Sequence, residues 1–196
     1  FFAELYQLGM AGPSGKWRLD TPWETWLYLA YILLEFWGYS LIALGVGRLL
    51  GVATPVNFNH PYFATTVGEF WTRWHISLGG FVARNIYNPM MLFLVRRIDR
   101  KSKRLLFASN LLALWLPFIF TGLWHHISWG FFWWGLLVGL IVAGEKALWE
   151  FKQVKTALRA KPFTGATITW RIVGIVYTQA MIALTLSLAI KEFQAA

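Results

Sequence analysis

The stretch WLYLAYILLEFWGYSLIALGVGRLL, residues 26–50, carries only two charges, Glu35 and Arg48. A bilayer core roughly 30 Å thick needs about 20 mostly apolar helical residues, so this run reads as a transmembrane helix and sets the fold class. Three more stretches fit the same template: 105–122, 129–149 and 170–190. Between the first and second lies a less regular apolar segment, residues 69–95, broken by charges and by Asn88-Pro89. The residue before a proline is pushed out of the helical region, which predicts a helix end near Tyr87. The expected fold is all-α: a polytopic transmembrane protein with about four spans plus a re-entrant or amphipathic helical segment. Residues 1–196 read as one membrane domain.

Composition agrees. The chain is 57% hydrophobic and 18% aromatic, with only 14% charged residues, where soluble domains carry about 25%. Cysteine is absent, which removes disulfides and thiolate metal sites from consideration. The opening FFAELYQLGM has no initiator methionine and no signal-peptide pattern. It reads as a piece of a longer polypeptide with its start missing.

Two basic clusters set the expected orientation. RRIDRKSKR at 96–104 holds six Lys/Arg against one Asp, and 146–171 holds Lys146, Lys152, Lys155, Arg159, Lys161 and Arg171. Two spans separate them, so both fall on one side, the cytoplasmic one by the positive-inside rule. Arg48 is expected on that side as well. The net charge of +9 thus reads as topology and contact with anionic membrane lipid, not as a nucleic-acid surface. The turn after the second span then faces outward, and it carries GLWHH, residues 122–126.

Ionisable groups at bilayer depth are costly and mark either a function or a paired structural site. Glu35 is one such group, neutral or paired across helices, with a structural role favoured. Projecting residues 69–85 on one helix at 100° per residue gathers Glu69, Arg73, Ser77, Gly80 and Arg84 on a stripe opposite Trp74, Leu78 and Phe81. His75 lies off that stripe, where it can meet a group from another segment. His125 and His126 are successive, so on a helix they point about 100° apart and cannot chelate one metal from the same face. A metal site is therefore not expected, although His75 and one of the pair could hold a haem. A single neutral imidazole in a wet cavity suits general-base catalysis. Plain packing or interfacial roles for these histidines stay open on spacing alone. His60 receives no role. GPSGK at 12–16 lacks the strand, spacing and following Ser/Thr of a phosphate loop and reads as an ordinary loop. Gly135 and Gly139 make a small-xxx-small spacing for close helix packing, and Gly45, Gly47, Gly79, Gly80 and Gly130 could serve likewise.

Three blocks in order, FWGYSLIALGVGRLLG (36–51), VNFNHPYFATTVGEFWTRWHISLGGFVARNIYNPM (56–90) and GLWHHISWGFFWWGLLVGL (122–140), resemble the membrane-bound O-acyltransferases. The likeness is greatest to the bacterial branch of alginate O-acetylation and D-alanyl transfer proteins. It covers roughly residues 20–150. The resemblance implies acyl transfer from a thioester to a hydroxyl at a multi-pass site in the bacterial inner membrane. It makes His125 the catalytic base and His75 the second polar residue, orienting substrate or stabilising developing charge. Trp71, Trp74, Arg73, Trp124 and His126 would belong to the tunnel, and Arg73 and Arg84 would be structural or face donor phosphates. No tightly bound cofactor is implied; the donor would be acyl-CoA or an acyl carrier protein. The acceptor would be an exported polysaccharide or a relay acyltransferase, and acetyl is the expected group. The resemblance makes this chain the C-terminal portion of a longer protein, whose missing N-terminal part is expected to close the tunnel.

This sequence departs from the family pattern at three positions. His126 stands where a small residue usually follows the catalytic histidine, Leu41 replaces an aspartate after GYS, and Asn85 replaces another before the Y-I-Y-like turn. The alternatives are a degenerate acyltransferase or a non-catalytic protein that binds haem or an ion through His75 and His125.

Overall fold

The computed structural model describes residues 22–99, 102–150 and 165–195. The GPSGK stretch, Arg100, Lys101, and the basic residues Lys152, Lys155, Arg159 and Lys161 lie outside the described residues.

Within them the protein is a polytopic helical membrane protein. Its elements are α1 (Pro22–Leu49), a single 3-10 turn (Pro61–Phe63), α2 (Val67–Arg73), α3 (Ile76–Val82), a π turn (Ala83–Tyr87), α4 (Asn88–Val95), α5 (Lys103–His125), α6 (Trp129–Glu150) and α7 (Gly165–Ala195). Four stretches are long and apolar enough to cross a membrane: Thr25–Leu49, Lys103–His125, Trp129–Leu148 and Ile168–Ala189.

The α5–α6 pair forms an antiparallel hairpin, because only His126–Ser128 join the two helices. Their close approach rests on glycine. A Cβ at Gly135 would overlap the carbonyl oxygen of Phe118 and lie 2.8 Å from the Cα of Ile119, and one at Gly139 would sit 3.3 Å from the Cα of Trp115. Lys146 donates to Asn110 Oδ1 at 2.7 Å and ties the open ends of the hairpin. The other glycines are not equivalent: Gly47 packs on Thr54, whereas Gly45 and Gly79 meet nothing within 4 Å.

Helix α7 packs on α6 and on α1. Trp26 Nε1 donates to Gln179 Oε1, and Gln179 Nε2 donates to the Tyr62 carbonyl. Leu29 of α1 and Ile182 of α7 share a core with Val67, Phe70, Trp134 and Val138. So α1 and α7 run parallel, both starting at the end where α6 finishes. This corrects the expected place of Arg48. About 33 Å of helix separates Trp26 from Arg48 at 1.5 Å per residue, and Arg48 lies at the end opposite Lys103 and Lys146.

The segment after α1 folds back into the bundle. The chain turns at Gly51, whose φ is 72°, and runs back along α1. Asn57 donates to Ser40 Oγ at 3.2 Å, the His60 ring meets Trp37, and Thr65 packs against Gly174 of α7. Helix α2 then climbs back toward the middle of the bundle. Such a buried short helix must satisfy its free N–H groups internally, and the sequence T66-V-G-E69 is a capping box in outline. Thr66 Oγ1 accepts from the Glu69 amide at 3.0 Å. Glu145 of α6 accepts from the Val67 and Gly68 amides, each at 2.8 Å. Glu69 reaches back to the amide and hydroxyl of Thr65 and pairs with Arg73. Burial alone would raise the Glu69 carboxyl, but these hydrogen bonds and the Arg73 charge outweigh it and hold it below its ordinary value. We expect Glu145→Leu to strand two partly buried donors, each costing up to about 1–3 kcal/mol. The check is thermal unfolding of the full-length protein in detergent, with Glu145→Gln, which keeps one acceptor, falling between mutant and wild type.

Two expectations about this segment are corrected. Residues 69–85 are not one helix: Trp74 is extended and His75 sits in the left-handed region at φ 47°. The stripe from Glu69 to Arg84 is therefore no single face, and Arg84 is exposed. Nor does Pro89 end the helix at Tyr87. The π turn widens the backbone there, with the Asn88 amide bonding to the Ala83 carbonyl, which makes room for a proline ring that would otherwise strike the preceding turn.

Candidate active site

His125 is the last residue of α5. The tight connection to α6 folds Phe131 and Trp134 back over it, with ring centroids 6.3 and 6.4 Å away, while Trp124 flanks it at 5.1 Å. His75 arrives from the break between α2 and α3. Its left-handed backbone is an uncommon conformation for a residue with a side chain, and the loop 57–59 holds it from outside. Asn59 donates its amide to the Arg73 carbonyl, and the Ile76 amide donates to the Asn57 carbonyl, both at 2.9 Å. The imidazole packs edge-on against Phe36, 4.8 Å between centroids, and its Nδ1 lies 3.1 Å from Asn57 Oδ1.

Both histidines line one cavity of about 810 Å³, within the usual size range for small-molecule sites of about 300–1,000 Å³. Trp71, Trp74 and Trp124 line it too. Arg73 does not line it; it is held by Glu69. His126 does not line it either: its backbone turns extended, and the side chain is exposed beside Phe131. Half of the lining residues that sequence reading missed come from α1, among them Tyr28, Ile32, Phe36 and Tyr39. Their spacing of four, four and three is a helix face, legible in the sequence once the cavity gives that face a purpose. Glu35 lies off it, with one carboxylate oxygen buried and without a hydrogen-bonding partner.

Apart from the two imidazoles and two tyrosines, the named walls are hydrocarbon and indole. Among the described residues, no three His, Asp or Glu side chains gather as a metal site. Burial, and secondarily the nearby His125, pushes His75 down from 6.5 to about 4, so this ring is neutral at physiological pH. The folded state thus binds a proton on His75 less readily than the unfolded chain. Its contribution to stability is intact above about pH 6.5 and declines as pH falls toward about 4. We expect melting temperature to fall across that window and the fall to be shallower in His75→Gln, measured by thermal scans of the full-length protein in detergent.

Comparison with known proteins gives these sites a context. Residues 21–189 match the profile of the membrane-bound O-acyltransferase family. The chain is 35% identical over 126 residues to a peptidoglycan O-acetyltransferase of Helicobacter pylori, covering 64% of this chain and 22% of that protein. It is 28% identical over 131 residues to a teichoic acid D-alanyltransferase of Streptococcus thermophilus, covering 66% and 31%. A probable alginate O-acetylase of Pseudomonas syringae pv. tomato is 30% identical over 156 residues, covering 78% and 27%. The chain thus spans about a quarter of the length of these curated relatives.

Proposed function

Since the chain belongs to the membrane-bound O-acyltransferase family, we propose that the full-length protein moves an acyl group from a thioester donor to a hydroxyl. The observation that carries this reading is that His125 and His75, distant in sequence, line one cavity walled mainly by apolar side chains. In the proposed step the acceptor oxygen attacks the acyl carbonyl carbon while His125 takes its proton. The tetrahedral intermediate collapses with loss of the thiolate, which receives that proton from His125. The products are an ester and a free thiol. His75 accepts a hydrogen bond from the acceptor and orients it, since a neutral ring turned to Asn57 is poorly suited to stabilise an oxyanion.

The donor is acyl-CoA or an acyl carrier protein, approaching from the end that carries Lys103 and Lys146. By the positive-inside rule that end is cytoplasmic, in the inner membrane of a bacterium. The acceptor is an exported polysaccharide or a relay acyltransferase, and the group is acetyl. The names of the relatives, which include acetyl and D-alanyl transfer to cell-envelope polymers, support this choice. The haem-or-ion alternative finds no support in the family membership.

The test is inactivation of the full-length gene in its host, followed by mild-base release and identification of ester-linked acids from exported polymers. Loss of one acid, restored by a wild-type copy, is the expected result. An unchanged ester profile overturns the reading.

A further inference from the structure

We propose that Asn57 is a positioning residue of the site: it fixes His75 as the tautomer protonated on Nδ1 and so presents Nε2 as a hydrogen-bond acceptor to the cavity.

The argument begins with the Asn57 amide, whose two ends are told apart by their partners. The Ser77 backbone N–H lies 3.2 Å from one end. A backbone N–H can only donate, so that end is the carbonyl oxygen, Oδ1. The Ser77 hydroxyl adds a second hydrogen bond to Oδ1 at 2.9 Å, and the other end, Nδ2, donates to Ser40 Oγ on α1 at 3.2 Å. The amide is thus held from α1 on one side and from the first turn of α3 on the other. Its orientation is set independently of the histidine.

His75 Nδ1 lies 3.1 Å from that same Oδ1. An amide oxygen has no proton to give, so Nδ1 must carry one, and in a neutral ring Nε2 then holds the lone pair. With Nδ1 engaged, Nε2 is the nitrogen left for the cavity that His75 lines. The local fold shows the same division of labour. His75 occupies the N-cap position of α3 but makes no side-chain cap. Asn57, remote in sequence, supplies the cap instead through the Ser77 amide, and its own carbonyl takes the Ile76 amide. One residue therefore satisfies the backbone at the helix break, locks the left-handed residue, and sets the proton on its ring. Ser77 Oγ is 3.5 Å from Nδ1, too long to compete with Asn57.

The titratable groups that share the cavity with His75 are His125 of α5 and Tyr28 and Tyr39 of α1. Arg73 is occupied by Glu69.

The role of Asn57 is separable from the acyltransferase reading, because a tautomer can be observed without turnover. The experiment is nitrogen NMR of the full-length protein labelled with 15N-histidine, with the His75 signals identified by their loss in His75→Gln. The expected wild-type pattern is a protonated Nδ1 and a bare Nε2. Asn57→Leu should lose that bias, since a free imidazole prefers its proton on Nε2. Asn57→Asp keeps the size and the acceptor, so it guards against failure of the leucine variant to fold. Its carboxylate should raise the His75 titration midpoint by about 1–3 pH units, and the acid limb of any measured transfer activity should move with it. A wild-type ring protonated on Nε2, or an unmoved midpoint in a folded Asn57→Asp, overturns the proposal. If the NMR pattern holds while no acyl transfer is found, the positioning stands and the functional reading fails.

Discussion

His125→Gln in the full-length protein is expected to lower acyl transfer by about 10²–10⁴-fold, the usual worth of the positioned general base proposed for it, without lowering the amount of protein in the membrane. Glutamine approximates the reach of imidazole and can still hydrogen bond, but it cannot take the acceptor proton at neutral pH. His125 lies at the end of α5, where the surrounding rings of Trp124, Phe131 and Trp134 belong to the α5–α6 hairpin and do not need a basic side chain to pack. The loss should therefore be chemical, not structural. The measurement is the ester-linked acid on exported polymers, with protein level matched by blot. His75→Gln should cost less than His125→Gln, because an orienting acceptor contributes positioning without carrying the proton. The opposite order would exchange the two roles, and full activity in both variants would remove the site altogether.

Gly135→Leu is expected to prevent assembly of the hairpin that holds His125. Even the first carbon of a side chain there overlaps backbone atoms of Phe118 and Ile119 on α5, and backbone cannot rotate aside as a side-chain tip can. Overpacking in a dense interior costs typically about 1–3 kcal/mol and sometimes more, and lipid offers no hydrophobic drive to force the helices together again. Gly135→Ala should already lower the melting temperature of the detergent-solubilised protein. Gly139→Ala, which meets Trp115 at 3.3 Å, should cost less. Gly144, with nothing within 4 Å of an added Cβ, supplies the control: Gly144→Ala should be neutral or mildly stabilising, as alanine is the better helix former. Equal effects at all three positions would mean that close α5–α6 packing does not decide stability.

The graded glycines show where a sequence reading stops. The small-xxx-small spacing of Gly135 and Gly139 was visible, and the spacing is enough because α6 is a regular helix. Gly45 and Gly79 looked equally eligible, yet nothing lies near them. Which face of a helix meets a neighbour is a property of the neighbour. Arg48 makes the same point about topology: its charge matched the basic loops, but the parallel contact of α1 with α7 places it at the other end.

What the amino-acid order determined by itself was cumulative: the spans and the residues that stand out within them. Length and hydropathy gave the spans, since crossing a bilayer requires about 20 apolar residues whatever they pack against. The histidine blocks marked the residues worth following, because ionisable groups are too costly in such a chain to be incidental. Only the tertiary structure decided how the histidines are held. The helix break at His75 goes against the helical periodicity of residues 69–85. It exists because Asn57 and Asn59, from the loop that precedes α2, take up the backbone groups that a broken helix leaves unpaired. A projection that counts residues along one helix cannot see those partners, and in a water-poor interior the backbone goes where its hydrogen bonds can be met.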